Sequence, residues 1–309
     1  MTAAIDVLPA DRVTAADADG VLVERLAASG RGRPEAVLHP HDTGEVAAIM
    51  RWASSTGTGV LPIASGARLR PTGGTSGETG PWVVLATDRL SGLEIYEAAD
   101  LTLTAGAGTS MSEVDTALRA NGQWAPFDPP HIGGRSLGGL VADGASGPLW
   151  AGYGELRNHV LGMTVVTGDG RVLRLGGRVV KNVAGFDLLK PLTGSRGSLA
   201  VMTSVTLRAF PVPPEELVLV ARGSSIDELL SFALQVGTAP VLPVSCVLAD
   251  AGEPTLVVRL HGAPATVAAD RATIEAHLGK TLESPPAEDA GVLLDRIRDH
   301  AAGTRTVVS

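Results

Sequence analysis

The residues best suited to chemistry lie between Trp124 and Pro148, and most of them are glycines. Trp124-Ala125-Pro126-Phe127-Asp128-Pro129-Pro130 leads into Ile132-Gly133-Gly134-Arg135-Ser136-Leu137-Gly138-Gly139-Leu140, and Gly144-Ala145-Ser146-Gly147-Pro148 follows. Glycines at this density let backbone N–H groups approach a ligand with no Cβ atom in the way. A diphosphate suits such a surface, because amides rather than lysines then stabilise its charge. A string of surface turns would have the same composition, and composition alone favours neither reading. Two shorter motifs point elsewhere. Gly106-x-Gly108 precedes a helix as a dinucleotide turn would, but Met111 stands where the third glycine belongs. Gly279-Lys280-Thr281 resembles the tail of a phosphate loop, yet Ile274 replaces its leading glycine.

The remaining candidates are sparse. His39 and His41 flank Pro40 before a helix, where a solvated or capping role is expected. His131 directly precedes the glycine stretch and could face a bound ring, while His261 closes a late strand with no proton-transfer partner evident. Trp124 and Phe127 read as core residues, and Asp187 suits a helix cap and a ligand contact equally. No His, Asp or Glu group has metal-ligand spacing, so no metal is expected. Cys246 is the single cysteine, which excludes an internal disulfide and a cysteine-held zinc or iron–sulfur centre. A formal net charge of −8 argues against a nucleic-acid backbone binder. Met1 to Arg12 lacks a secretory pattern and no apolar run would span a bilayer, so a cytoplasmic protein is expected, with contact to the inner membrane only through partners.

The elements that must position these residues follow from periodicity. With 44% hydrophobic and 19% charged residues, the chain has the composition of a folded protein. Residues 17–28 read as a short helix and Ala36–Leu38 as a strand. Asp42 or Thr43 with Glu45 caps a helix whose Val46, Ile49, Met50 and Ala53 share one face, and Gly57 ends it. Val60–Ile63 and Trp82–Ala86 are strands on either side of a glycine-bearing loop over residues 65–74. Leu93–Tyr96 and Leu101–Ala105 alternate as strands, and Ser110 with Glu113 caps a further helix. Asp169-Gly170 turns a hairpin between Met163–Val166 and Arg171–Leu175. Leu199–Phe210 reads as one long strand, stopped by Pro211, Pro213 and Pro214. Beyond Glu215 the order is strand, helix, strand, strand, helix, typical of a small α+β domain.

Several of these segments together resemble a known family. Leu90-Ser91-Gly92, Asp100-Leu101-Thr102, Ala105-Gly106-Ala107-Gly108-Thr109, the Trp124–Pro148 series and Tyr153-Gly154-Glu155-Leu156-Arg157-Asn158 occur in the order found in the FAD-binding domain of the vanillyl-alcohol oxidase (PCMH-type) family. Gly176-Gly177-Arg178-Val179-Val180-Lys181-Asn182-Val183-Ala184-Gly185-Phe186-Asp187-Leu188 is similar to a signature of the smaller FAD-binding subunits of bacterial glycolate oxidases, and Gly194-Ser195-Arg196-Gly197-Ser198-Leu199 closes the match.

The resemblance implies a two-subdomain α+β FAD-binding fold over residues 34–214 (subdomains about 34–88 and 89–214), after an extension over 1–33 and before a small α+β cap over 215–309. It implies non-covalent FAD, since no His or Tyr lies in the first loop. Ser65, Gly66, Ala67, Arg68 and Leu69 would form that diphosphate loop. Pro130, Gly133, Gly134, Ser136, Leu137, Gly138 and Gly139 would lie along the cofactor. Gly144, Ser146, Gly147, Arg157 and Val201 would lie near it. The first loop departs from the family's consecutive glycines at Ser65, Ala67 and Arg68, and Ala200 stands where glycine is common. The implied activity is oxidation of a small 2-hydroxy acid with hydride transfer to the flavin. The implied partners are a larger flavin subunit and an iron–sulfur subunit. The alternative is a non-catalytic assembly or electron-transfer subunit with a degenerate flavin site. No catalytic side chain is assigned.

Overall fold

Val83, Val84 and Leu85 are apolar in succession and wholly buried, as a strand covered on both faces must be. In the computed structural model, residues 6–15, 20–29, 32–64, 66, 69, 80–177, 186–223, 225–250, 253–300 and 307–308 are described. The chain divides into two compact units. The first comprises residues 1–121, 133–144 and 159–209, and the second residues 122–132, 145–158 and 210–309.

Unit 1 holds two sheets. The first contains β1 (Val13–Ala15), β2 (Ala36–Leu38), β3 (Gly59–Ile63) and β4 (Trp82–Ala86) in the order β1-β2-β4-β3. β2, β4 and β3 run parallel, and β1 is antiparallel to β2. Helix α1 (Gly20–Ala28) contributes Leu26 to a core with Val37, Ile63, Val84 and Ala86. Helix α2 (Thr43–Thr56) starts as its capping box predicts: Asp42 accepts from the Glu45 amide at 2.9 Å, and Glu45 accepts from the His41 amide at 2.8 Å. Gly57 ends it in a left-handed conformation. Its Val46, Ala47 and Ile49 meet Val83 and Leu85 from the first sheet and Val166 and Val201 from the second.

The second sheet is antiparallel throughout. It contains β5 (Leu93–Glu97), β6 (Thr102–Gly106), β7 (Val160–Thr167), β8 (Val172–Gly176) and β9 (Ala200–Arg208), in the order β5-β6-β9-β7-β8. Helix α3 (Met111–Arg119) carries the expected Ser110 cap, and α4 (Leu137–Asp143) arises inside the glycine stretch. The predicted single strand Leu199–Phe210 is interrupted. Ala209 donates to Leu101 at 2.7 Å, after which Phe210–Pro211 pairs with Gln123–Trp124 in unit 2.

In unit 2, β10 (Glu215–Arg222), β11 (Ser245–Asp250) and β12 (Pro254–Gly262) form an antiparallel sheet in the order β10-β12-β11, extended by Val307–Val308. Helices α5 (Ile226–Thr238) and α6 (Pro264–Leu278) cover one face through Leu229, Val236 and Ile274. Helix α7 (Ala287–His300), which the sequence reading did not include, brings Ala290 and Ile297 onto Val218, Val220, Val247 and Val257 of the opposite face.

Candidate functional site

Unit 1 contains a cleft of about 400 Å3, counting space that opens to solvent. One wall is the carboxyl ends of two parallel strands, with Pro62, Ile63 and Ala64 at β3 and Thr87 after β4. The second wall is Ala107 with Gly138, Gly139 and Ala142 of α4. The third is Arg196-Gly197 with Ala200, Val201 and Met202 at the start of β9. Strand ends of a parallel sheet are where α/β proteins commonly place ligands, because side chains and loops diverge there.

Close packing of backbones builds the second wall. A Cβ on Gly138 would stand 2.6 Å from the Ala107 Cβ, so only glycine lets α4 sit there. The Leu137 amide donates to Thr109 at 2.8 Å, Gly138 to Ala107 at 2.7 Å and Gly139 to the Ser136 hydroxyl at 3.1 Å. These three amides are therefore engaged with protein acceptors, and the cleft meets the bare Cα surfaces of Gly138 and Gly139 instead. The expected amide donation to a ligand is not what these positions offer.

The other sequence-predicted residues are distributed more widely. Ser65, Ala67 and Arg68 lie outside the described residues, as does 178–185 of the subunit signature. Gly66 has φ +65° and accepts from the Leu69 amide at 3.2 Å, while Leu69 packs on the core beside Ile63. Gly133 and Gly134 form one 3-10 turn with open space around them. Ser136 caps α4, and Leu137 is fully buried. Gly144 ends α4 with its Cα close to the 193–194 turn. Val201 is buried and reaches the cleft, where it joins Gly138 and Gly139.

Pro130, Ser146, Gly147 and Arg157 belong to unit 2. There Ser146 accepts from the Leu156 amide at 3.5 Å, and Arg157 pairs with Glu155 at 2.5 Å. His131, also in unit 2, donates its amide to Asp299 at 2.8 Å and places Nδ1 3.4 Å from the same carboxylate. The cleft residues that the sequence reading did not assign are Pro62–Ala64, Thr87, Ala107, Ala142, Arg196, Gly197, Ala200 and Met202. Their shared signal is position: each ends or begins a strand, or flanks a glycine turn.

Unit 2 carries a buried polar network of its own. His261 Nδ1 is 2.8 Å from the Tyr153 hydroxyl, and its Nε2 is 3.4 Å from Glu216. Arg259 donates to Glu216 at 3.0 and 2.7 Å and to Asp128 at 3.2 Å, and Asp128 also accepts from the Leu149 amide at 2.9 Å. The His261 hydrogen bond, with help from Arg259 and against partial burial, holds the Glu216 carboxyl at about 2. Burial raises the Asp128 carboxyl and the Tyr153 phenol. Trp124 and Phe210 meet the Tyr153 ring edge-on at 5.5 and 5.6 Å. The network ties residues 122–132 and 145–158 to the β10–β12 pair. Its sequence signal was charge inside a strand: Glu216 pairs directly with His261 across β10 and β12.

Among the described residues no three His, Cys, Asp or Glu side chains are grouped to hold a metal. No helix among them is long and apolar enough to cross a membrane.

The cleft thus lies at strand ends, is faced by glycines and belongs to a unit of two sheets. Residues 34–176 match the family described as FAD binding domain. It is 38% identical over 183 residues to the glycolate oxidase subunit GlcE of Escherichia coli (strain K12), covering 58% of this chain and 51% of that protein. It is 36% identical over 197 residues to a D-2-hydroxyglutarate dehydrogenase of Xanthomonas citri pv. viticola, covering 64% of this chain and 41% of that protein. The chain thus spans about half the length of the curated relatives it matches. Its fold is that of p-cresol methylhydroxylase, whose structure with substrate bound aligns with a TM-score of 0.72 at 15% identity, over 94% of this chain and 67% of that one.

Proposed function

We propose that unit 1 binds FAD non-covalently and that the chain is the FAD-binding subunit of a 2-hydroxy-acid oxidase or dehydrogenase of the glycolate type. The observation that carries this reading is the cleft itself, whose walls lack Cβ atoms at Gly138, Gly139 and Gly197 and whose described lining includes a cation, Arg196. A flat, phosphate-bearing cofactor needs that combination of close backbone approach and positive charge. Ser65, Gly66, Ala67, Arg68 and Leu69, which follow Ile63 and Ala64 in the chain, belong to the same assignment. Gly133, Gly134, Ser136 and Leu137 lead into Gly138 and Gly139, and Gly144 follows α4. The assignment also names Pro130, Ser146, Gly147 and Arg157. Residues 34–214 would then be the cofactor domain and 215–309 a small cap.

When bound, the flavin supplies the hydride-accepting chemistry. The chain's own contribution is to hold it, through bare glycine surfaces and the apolar side chains of Pro62, Ile63 and Val201, and to keep water from that face. The larger flavin subunit and the iron–sulfur subunit are the partners this reading requires, and a small 2-hydroxy acid is the substrate.

A visible spectrum of the purified, dialysed protein before and after heating tests the cofactor assignment. Flavin bands, with FAD released into the supernatant, support it. A colourless protein that takes up no added FAD refutes it.

One observation favours a second reading, in which this subunit assembles or conducts electrons without oxidising substrate. Among the described residues the cleft lining contains no carboxylate, imidazole or phenol to take the hydroxyl proton. Turnover of glycolate or D-lactate with a dye acceptor separates the two readings. Activity of the isolated chain supports the first, and bound flavin without turnover supports the second.

A further inference from the structure

We propose that Arg196 is the residue that neutralises the diphosphate of the dinucleotide in the unit 1 cleft. The inference rests on the FAD reading above and adds to it the group that receives the cofactor's charge.

Charge is the first argument. Among the described residues of the cleft lining Arg196 is the one that carries a charge, and its side chain is 71% exposed. Its acidic neighbour is Asp143, 3.8 Å away at one carboxylate oxygen. The other oxygen of Asp143 already accepts from Arg135 at 3.1 Å, and Arg135 is only 3% exposed. Two guanidinium groups therefore share one carboxylate, and the long contact belongs to Arg196. That contact is weak enough for an anion in the cleft to displace, whereas the buried Arg135 keeps Asp143 in place.

Backbone conformation is the second argument, and it is independent of charge. Arg196 has φ +54°, a left-handed conformation that is costly for an L side chain. The loop is held in it by the Arg196 amide, which donates to Ala142 at 2.8 Å, and by the Gly194 amide, which donates to Val141 at 3.0 Å. Both acceptors lie in α4, so backbone hydrogen bonds join the arginine turn to the glycine wall. Gly194 and Gly197 on either side take positive φ without strain. A third glycine would satisfy the turn at lower cost. Strain of this kind persists where the side chain is used, and ligand clamps are among its usual places.

The test uses the full chain stripped of flavin, with FAD titrated directly and ADP as a competitor that carries the diphosphate without the ring. Arg196→Gln is expected to weaken both ligands by about tenfold to a hundredfold, the loss of one charge-assisted contact. Arg196→Lys is expected to fall between them, since an ammonium keeps the charge but not the fork. Wild-type affinity should drop more steeply than that of Arg196→Gln as salt rises from about 50 to about 300 mM. Arg196→Gly adds a readout that a purely structural role would not produce. Its flavin-free Tm should equal or exceed the wild type, because the φ strain is gone, while its FAD affinity falls. FAD affinity unchanged in all three variants overturns the proposal, as does a loss for FAD with none for ADP, which would place Arg196 at the ring. A wild-type chain that binds neither ligand overturns the FAD reading together with this one.

Discussion

Gly108 shows how little space separates a workable sequence from a strained one. A Cβ there would stand 1.9 Å from the Thr87 carbonyl oxygen, and one on Gly106 would stand 2.3 Å from that of Leu90. The Gly-x-Gly that resembled a dinucleotide turn is thus a crossing of two backbones. Gly108→Ala is expected to destabilise the protein by about 1–3 kcal/mol, the range for overpacking. Urea unfolding measures this, and an unchanged midpoint would refute the crossing as a tight contact. Glu216 makes a second case at the same scale. Its carboxyl lies at about 2 in the folded chain against 4.5 ordinarily, so its stabilisation is complete above pH 4.5 and is lost as pH falls toward 2. Asp128 opposes this, because burial raises its carboxyl and protonation relieves it. Glu216 is 39% exposed, and solvent screening reduces its net effect to about 1 kcal/mol. Glu216→Gln should therefore lose less stability between pH 5 and pH 3 than the wild type does. An equal or larger loss in the variant would exclude this role.

Among the elements, α7 is the one whose removal should be felt most on its own face of the unit 2 sheet. Ile297 is 4% exposed and packs with Val218, Val220, Val247 and Val257. Ile297→Ala is expected to cost about 2–4 kcal/mol through lost burial and the cavity left behind. Chemical denaturation gives the value, and a cost under about 0.5 kcal/mol would mean that the helix is not docked there. Much at this scale was legible beforehand. Ser110 and Asp42 stand three residues before Glu113 and Glu45, and each accepts the amide it was expected to accept. Local capping chemistry is written in adjacent residues, so it can be read from them. α7 was equally readable from Ala290, Leu293, Leu294 and Ile297, whose spacing forms a helical stripe. The break at Ala209 was not, because it depends on a bond to Leu101 more than a hundred residues earlier in the chain. The cleft divides in the same way. Gly138 and Gly139 declared themselves by composition, but Thr87 and Arg196 became part of the site only through the meeting of distant turns.

The whole molecule is organised by a chain that passes between its two units several times. It leaves unit 1 at Gly122, returns at Gly133, leaves again at Ala145 and returns at His159 before residues 210–309 finish unit 2. The two inserted segments depend on that last stretch. Gly152 donates to Val244 at 3.1 Å with no room for a Cβ between them, Tyr153 meets His261, and Asp128 meets Arg259. A fragment ending at Pro214, where the triple proline suggests a boundary, would keep these segments and lose their partners. Trp124, 7% exposed, would then lose the His261 ring beside it, and Asp128 would lose the guanidinium that offsets its burial. Such a fragment is expected to bind a hydrophobic dye and to melt at least about 5 °C below the full chain, the shift that roughly 1–2 kcal/mol produces in a domain of this size. Adding residues 210–309 as a separate chain should reverse both effects if the lost partners are the cause. A fragment that melts with the full chain and binds no dye would show instead that residues 122–132 and 145–158 are held by unit 1.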